Sequence, residues 1–446
     1  MNEVKSISGK SGAALLMMVL GMLAGCHSKG SSAPAPTNVA VVAGDSSATV
    51  TWDKTPGVEY WVFLAPAAGV TPQSCSGISG CQIITAAQTP LIIASPYNGG
   101  STGFTNYNGL VGLTNGSTYS ISINGRIDNG PGGPGSAAVS FVPRLAGTTW
   151  VAKTAGTNDL HGVASGTATL SGVTGDVYVA AGNAGALYAS SDGLSWSNAV
   201  SGVPATSNNL NAAAAYGTLY LAAGQGGAII TSTDAQTWTL RTSGTANDLY
   251  GVAGNGSGGF VAVGDGGTIL YSNGNSGTGW TAATSPTANR LYGVSYANGG
   301  YVAVGASGTI LTGSADGSTW SKVTPSPATT ADLKAMAWGG ASVTGGVTSG
   351  TNTYVIVGAN GALVTSTDNG ASWVTQSAIA AGINFSSVVY GHQFIAVGDG
   401  GNLYTSLDGL SWQAQNSGTT APLYVIGKRK FDYVAAGQAG VTLSAK

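Results

Sequence analysis

The chain has 446 residues, 72 of them glycine, with 43% hydrophobic and only 7% charged residues. Fifteen Lys and Arg against 17 Asp and Glu leave a formal net charge of −2, and with no large basic stripe nucleic-acid binding is not expected. Few charges beside abundant Ser, Thr, Asn and Gly point to an all-β exported protein with a hydroxyl- and amide-rich surface.

The N-terminus reads as a targeting segment. Lys5 and Lys10 precede Ala13–Ala24, an apolar stretch too short to span a bilayer as a stable helix. It ends in Leu23-Ala24-Gly25-Cys26, which resembles the lipobox of bacterial lipoproteins. That resemblance implies removal of residues 1–25, thioether attachment of a diacylglycerol to Cys26 and N-acylation, with each buried CH₂ contributing roughly 0.8 kcal/mol of anchoring. His27 stands where an Asp would favour inner-membrane retention, so the expected location is the outer membrane. The rest of 26–36, rich in Ser, Gly and Pro, reads as a flexible tether.

Residues 37–144 alternate as short strands, and Cys75 and Cys81 read as a local disulfide in an exported chain. Leu113-Thr-Asn-Gly-Ser-Thr-Tyr119, followed by Ile121, Ile123 and Gly130-Pro-Gly132, resembles the fibronectin type III pattern, with Trp52 as its core tryptophan. The resemblance implies a β-sandwich acting as a spacer or weak binding module. The segment from Pro66 to Gly109 looks like an insertion after its third strand.

From residue 148 onward the chain repeats. Seven apolar runs ending in G-x-x-G, from Tyr178–Gly185 to Tyr433–Gly440, recur about forty residues apart. Each lies between a short L-x-G-V-type strand, as in Leu249–Val252, and two further strands, the last starting at a Trp. Four strands per unit predict a propeller blade. There are seven runs and seven such tryptophans, but Trp150 precedes any complete unit and the last unit ends without its own. Thr148–Lys153 is therefore expected to supply the outer strand of the last blade, closing a seven-bladed ring over 148–446 with no open edge.

Between the third and fourth strands lie SSDGLSW (Ser190–Trp196), STDAQTW (Ser232–Trp238), SADGSTW (Ser314–Trp320), STDNGASW (Ser366–Trp373) and SLDGLSW (Ser406–Trp412). These resemble the Asp-box, or BNR, repeats of sialidase-like propellers, and their Asp residues read as turn clasps rather than acids. The whole repeat region also resembles the propellers of photosystem II assembly factors and their non-photosynthetic relatives. That resemblance implies a non-catalytic interaction platform.

The loops entering the first strands and the G-x-x-G hairpins share one face, away from the Asp-bearing turns. They bring together a mixed polar rim, with candidate ligand-binding residues His161, Asp248, Tyr250, Asp265, Arg290, Tyr292, Lys334, Asp399 and Tyr424. Such a rim suits a peptide or a sugar. No Glu follows Glu59, the propeller holds only three Arg, and the histidines show no metal spacing, so no catalytic residue, metal or cofactor is assigned. The expected function is a lipid-anchored, non-enzymatic scaffold for a protein partner. Glycan binding is the alternative, with hydrolysis by a pair among Asp159, Asp248, Asp265, Asp332 and Asp399 a weaker third. Gly339–Asn352 reads as a flexible loop and Lys428-Arg429-Lys430 as a solvated one.

Overall fold

The computed structural model describes residues 30–44, 46–94, 113–199, 206–272, 274, 277–339, 342–344, 347–349, 352–429 and 432–445. The expected leader, Cys26 and the first residues of the tether, up to residue 29, lie outside these residues. Two compact units divide at Pro143/Arg144, residues 44–46 grouping with the second.

The first unit is all β. Glu59–Ala65 and Tyr119–Arg126 pair antiparallel at the centre of one sheet, flanked by Gln82–Ala87, Val139–Phe141 and the short Ser32–Ala33. A second sheet holds Ala40–Gly44, Ser47–Thr51 and Leu91–Ala94. Alternate residues of both sheets bury one core around Trp52, Tyr60, Ile121 and Ile123. Two expectations change here. Part of the tether, Ser32–Ala33, pairs with Gly125 and Arg126 rather than running free. The supposed insertion supplies a strand to each sheet, because Gln82–Ala87 and Leu91–Ala94 carry apolar residues that complete the core. A disulfide joins Cys75 to Cys81.

The second unit is a seven-bladed β-propeller, each blade a four-stranded antiparallel sheet. The inner strands are Leu160–Leu170, Leu210–Tyr216, Leu249–Gly254, Leu291–Ala297, Leu333–Gly339, Phe385–Tyr390 and Leu423–Arg429, numbered here as blades one to seven. Blade seven takes its outer strand from Val151–Thr154, which pairs with Val441–Ser444. The ring is thus sealed by residues from both ends of the repeat region, and no sheet edge is left at the seam.

The second strands are apolar on both faces because each is covered by a neighbouring blade. Their leading aromatics, among them Tyr178, Tyr220, Phe260, Tyr301 and Phe394, are fully buried, each worth roughly 1.5–3 kcal/mol of transfer free energy. A buried phenol needs a partner. Tyr220, Tyr301 and Tyr354 donate to the carbonyls of Val177, Gly259 and Ala297, each in the preceding blade.

Two loop expectations are corrected. Within Gly339–Asn352, Ser342–Thr344 pairs with Val347–Ser349 as an added hairpin, as its alternating Val and Thr residues favour. Lys428 and Arg429 end the inner strand of blade seven instead of forming a solvated loop. Arg429 donates to both Asp432 oxygens and to the carbonyls of Asp176 and Ser191 in blade one.

Candidate functional site

Every blade turns from its second to its third strand through a one-turn hairpin whose middle residue has positive φ, as at Ala184 (55°), Gly226 (64°) and Asn360 (54°). That conformation points the middle N–H outward, away from the hairpin's own hydrogen bonds. At five of the seven seams the residue entering the next blade's inner strand accepts it. Asn209 takes Ala184 N–H at 2.9 Å, Asp248 takes Gly226 at 2.8 Å, and Asp332 takes Ser307 at 3.2 Å. Asn384 takes Asn360 at 3.0 Å, and Asp159 takes Ala439 at 2.8 Å across the closing seam. Asp159, Asp248 and Asp332 are therefore blade-to-blade latches, which alters their reading as rim ligands or hydrolytic acids. Blade four has Arg290 at this position, and it reaches Asp265 of the preceding hairpin at 2.5 Å. Blade seven has Pro422, and Asp399 of the preceding hairpin stays exposed, held by Asn384 Nδ2 at 2.7 Å.

Two residues further along, past the buried leading Leu, the side chains turn toward the central channel. Tyr250 and Tyr292 lie 6.2 Å apart, ring centre to ring centre. The Arg290 guanidinium sits 4.9 Å from the Tyr250 ring and the Lys334 ammonium 3.2 Å from the Tyr292 ring. The hydroxyls donate to Asp265 (3.3 Å) and Asp332 (2.9 Å), and Lys334 donates to Asp332 at 3.3 Å. Burial raises both tyrosine pKa values, so both hydroxyls stay protonated donors. Burial works to raise Asp332, but Tyr292, the Ser307 N–H and Lys334 outweigh it and hold the carboxyl below its usual range. A general acid needs the opposite shift.

Across the channel, His161 stacks on Tyr424 with ring centres 4.8 Å apart and planes 20° from parallel. Its Nε2–H donates to Asn183 Oδ1 at 3.2 Å. Burial holds the imidazole below its ordinary pKa against the pull of Asp159 and Asn183. The ring is neutral at pH 7. These groups open onto a channel cavity of about 480 Å³. Below the rim its lining is mixed: Ser295, Ser387, Tyr296, Tyr390 and Lys428 are the accessible groups, while Val163, Val252, Val294, Met336, Val388 and Ile426 belong to the blade cores and show only 4–9% of their surface.

The turns between third and fourth strands lie at the opposite ends of the blades. Asp192 accepts the N–H groups of Leu194 and Ser195 at 2.8 Å, and Asp408 those of Leu410 and Ser411 at 2.8 Å. Serine hydroxyls and backbone N–H groups push Asp316 and Asp368 down to about 2. Blade three, which lacks the Asp, closes this turn with Ser272 Oγ donating to Thr278 O at 2.6 Å. Among the described residues no group of three His, Cys, Asp or Glu is placed to hold a metal.

Of the rim residues expected from sequence, the structure gathers Asp265, Arg290, Tyr250, Tyr292 and Lys334 on one side of the channel. His161 and Tyr424 lie on the other, with Asp248 between blades and Asp399 on an exposed hairpin. Missed by sequence reasoning was the latch role of Asp159, Asp248 and Asp332, although each directly precedes the leading Leu of an inner strand.

The family model for the DUF6242 beta propeller domain matches residues 149–291, which run from the closing strand to the start of blade four. Among solved structures the chain is similar to one described as YCF48 bound to D1 peptide, at 16% identity and a TM-score of 0.52, over 66% of this chain and 96% of that one. It is also similar to YCF48 from Cyanidioschyzon merolae, at 16% identity and a TM-score of 0.51, over 66% of this chain and 98% of that one. This likeness is one of fold. No curated protein matches the chain in sequence.

Proposed function

We propose that this chain is a lipid-anchored protein of the bacterial envelope whose propeller binds a protein partner at its channel mouth without catalysis. The observation that carries this reading is the rim itself: Tyr250, Tyr292, Tyr424 and His161 line an open channel mouth with their rings, Arg290 and Lys334 lie over the tyrosine faces, and Asp159, Asp248, Asp265 and Asp332 are engaged as latches or ion pairs. Tyrosine and arginine are the residues protein interfaces favour. A propeller of similar fold is described bound to a peptide, which supports the same use here.

The remaining parts of the proposal rest on local signals. Leu23–Cys26 supports lipidation at Cys26, and His27 supports the outer membrane. The first unit is read as a fibronectin type III-like spacer. Its strand order supports this, as does the Thr114 N–H donating to the Tyr119 hydroxyl at 3.1 Å, the geometry of a tyrosine corner.

Crosslinking of the full chain in native envelopes, followed by affinity capture, tests the binding reading. A defined protein recovered with the wild type and lost with Tyr250→Ala plus Tyr292→Ala supports it. Capture unchanged in that variant, or a glycan-array response lost in the same variant, overturns it. Lipidation is tested by mass: Cys26→Ser should retain the leader and lack acyl chains.

A further inference from the structure

The inner strands run from the rim to the far end of the channel, and their sixth residues lie four positions past the rim side chains, roughly 13 Å deeper along an extended strand. On blades four to seven these residues are Tyr296, Trp338, Tyr390 and Lys428, and all four line the channel cavity. On blades one to three they are Ser165, Ala215 and Gly254, which place no bulky side chain at this level. The far end is therefore one-sided. It has a wall of three half-buried rings ending in an ammonium.

Among the described residues the cavity is lined by two lysines and by no Asp or Glu. Lys334 is paired with Asp332 at the rim. The Lys428 ammonium has no hydrogen bond or ion pair among the described residues; only its backbone is held, in the strand ladder and by the Ser165 hydroxyl at 2.8 Å. The next residue, Arg429, is consumed by Asp432 at the seam. The Lys428 side chain is accessible from the channel, yet the surrounding wall strips enough water to pull its pKa below the ordinary lysine value, with no carboxylate acting against that. A sheltered cation without a counter-ion is costly, and an anion entering the channel removes the cost.

Hydroxyls stand ready beside it. That of Tyr296 makes no hydrogen bond among the described residues. Higher on the wall, Ser387 Oγ accepts the Ile426 N–H at 3.2 Å and keeps its own proton to donate. One unpaired cation balances one negative charge. A phosphate monoester carries about −1.5 to −2 at pH 7 and would stay partly uncompensated. A carboxylate fits.

We infer that the far end of the channel binds a small organic carboxylate, its oxygens on the Lys428 ammonium and its body against the rings of Tyr296, Trp338 and Tyr390. This is a second site, remote from the tyrosine rim, and it does not rest on the protein-partner reading.

The purified full chain is amidinated at trace level with methyl acetimidate in triethanolamine buffer, and the extent at each lysine is read by peptide mass spectrometry. Benzoate should slow Lys428 several-fold and leave Lys153 and Lys322, exposed on outer strands, unchanged. Benzamide, with the same ring and no charge, should not protect, and phenyl phosphate should protect less than benzoate. Lys428→Gln removes no side-chain bond, so the variant should fold as wild type while its benzoate affinity, read by saturation-transfer NMR, falls at least about tenfold. Lys428 unprotected by benzoate, protected equally by benzamide or better by phenyl phosphate overturns the inference, as does unchanged benzoate binding in Lys428→Gln. Partner capture that depends on Tyr250 and Tyr292 stands or falls separately.

Discussion

The carboxylate of Asp432 accepts a 2.8 Å hydrogen bond from the hydroxyl of Tyr178, which lies 254 residues earlier and in the adjoining blade. The same carboxylate holds Arg429, whose guanidinium lies 4.7 Å from the Tyr178 ring and donates to blade one. Burial, reinforced by the Asp432 charge, keeps the tyrosine pKa well above its usual value, so it remains a donor. Burial works against the Arg429 charge, but Asp432 outweighs it. At the seam where the ring closes, a charged triad stands where the seams at Tyr220, Tyr301 and Tyr354 have a tyrosine–carbonyl bond.

Removing Asp432 leaves a half-buried guanidinium without its counter-ion. Asp432→Ala should therefore destabilise the propeller by about 3–5 kcal/mol, and Tyr178→Phe by about 1 kcal/mol. A double-mutant cycle in urea should show coupling between the two positions; strictly additive losses would contradict a shared network.

Deleting Thr148–Lys153 takes away the strand paired with Val441–Ser444 and exposes the edge of blade seven. The variant should fail to give a folded, monodisperse protein. Unchanged thermal unfolding and an unchanged elution volume would refute closure by this strand.

The latch at Asp159 needs an acceptor and not a charge. Asp159→Asn should keep stability within about 0.5 kcal/mol of wild type, whereas Asp159→Ala should lose about 1–2 kcal/mol by leaving Ala439 N–H without its side-chain partner. Amide exchange at Ala439 is the local readout, fast in the Ala variant and slow in the Asn variant.

His161 makes stability fall in mild acid. Its folded pKa lies below the unfolded value of about 6.5, so the unfolded chain takes up the proton first. Stability should drop as pH falls through about 6.5 and level off below the folded pKa. His161→Gln should remove this part of the profile, and an imidazole titrating at or above 6.5 by NMR would contradict it.

Gly162 sits where the inner strands of blades one and two come closest. A Cβ there would lie 2.6 Å from the backbone nitrogen of Ala213. Gly162→Ala should cost about 1–3 kcal/mol, because backbone on both sides must move. Stability equal to wild type would mean the blades can separate at that point without cost.

Much of the propeller was legible in the order of residues. The G-x-x-G hairpins and the two-sided apolar runs are local patterns that determine four strands per blade, and the count of tryptophans pointed to closure by Thr148–Lys153, which in the structure is the strand Val151–Thr154. The first unit was less legible, because Leu91–Ala94 is too short a run to be told from loop until Ser47–Thr51 is beside it. The rim was legible as a set of residues but not as a set of roles. Asp159 and Asp399 look alike in sequence, each a lone acid beside a leading Leu or a Gly-Gly turn. One is bonded to Ala439, 280 residues away, and the other is exposed because Pro422 stands at the position facing its hairpin. What separates the latch from the exposed carboxylate is whether the adjoining blade brings a backbone N–H within 3 Å, as Ala439 does for Asp159, or the carboxylate is held by a side-chain amide, as Asn384 holds Asp399. Only ring closure decides that.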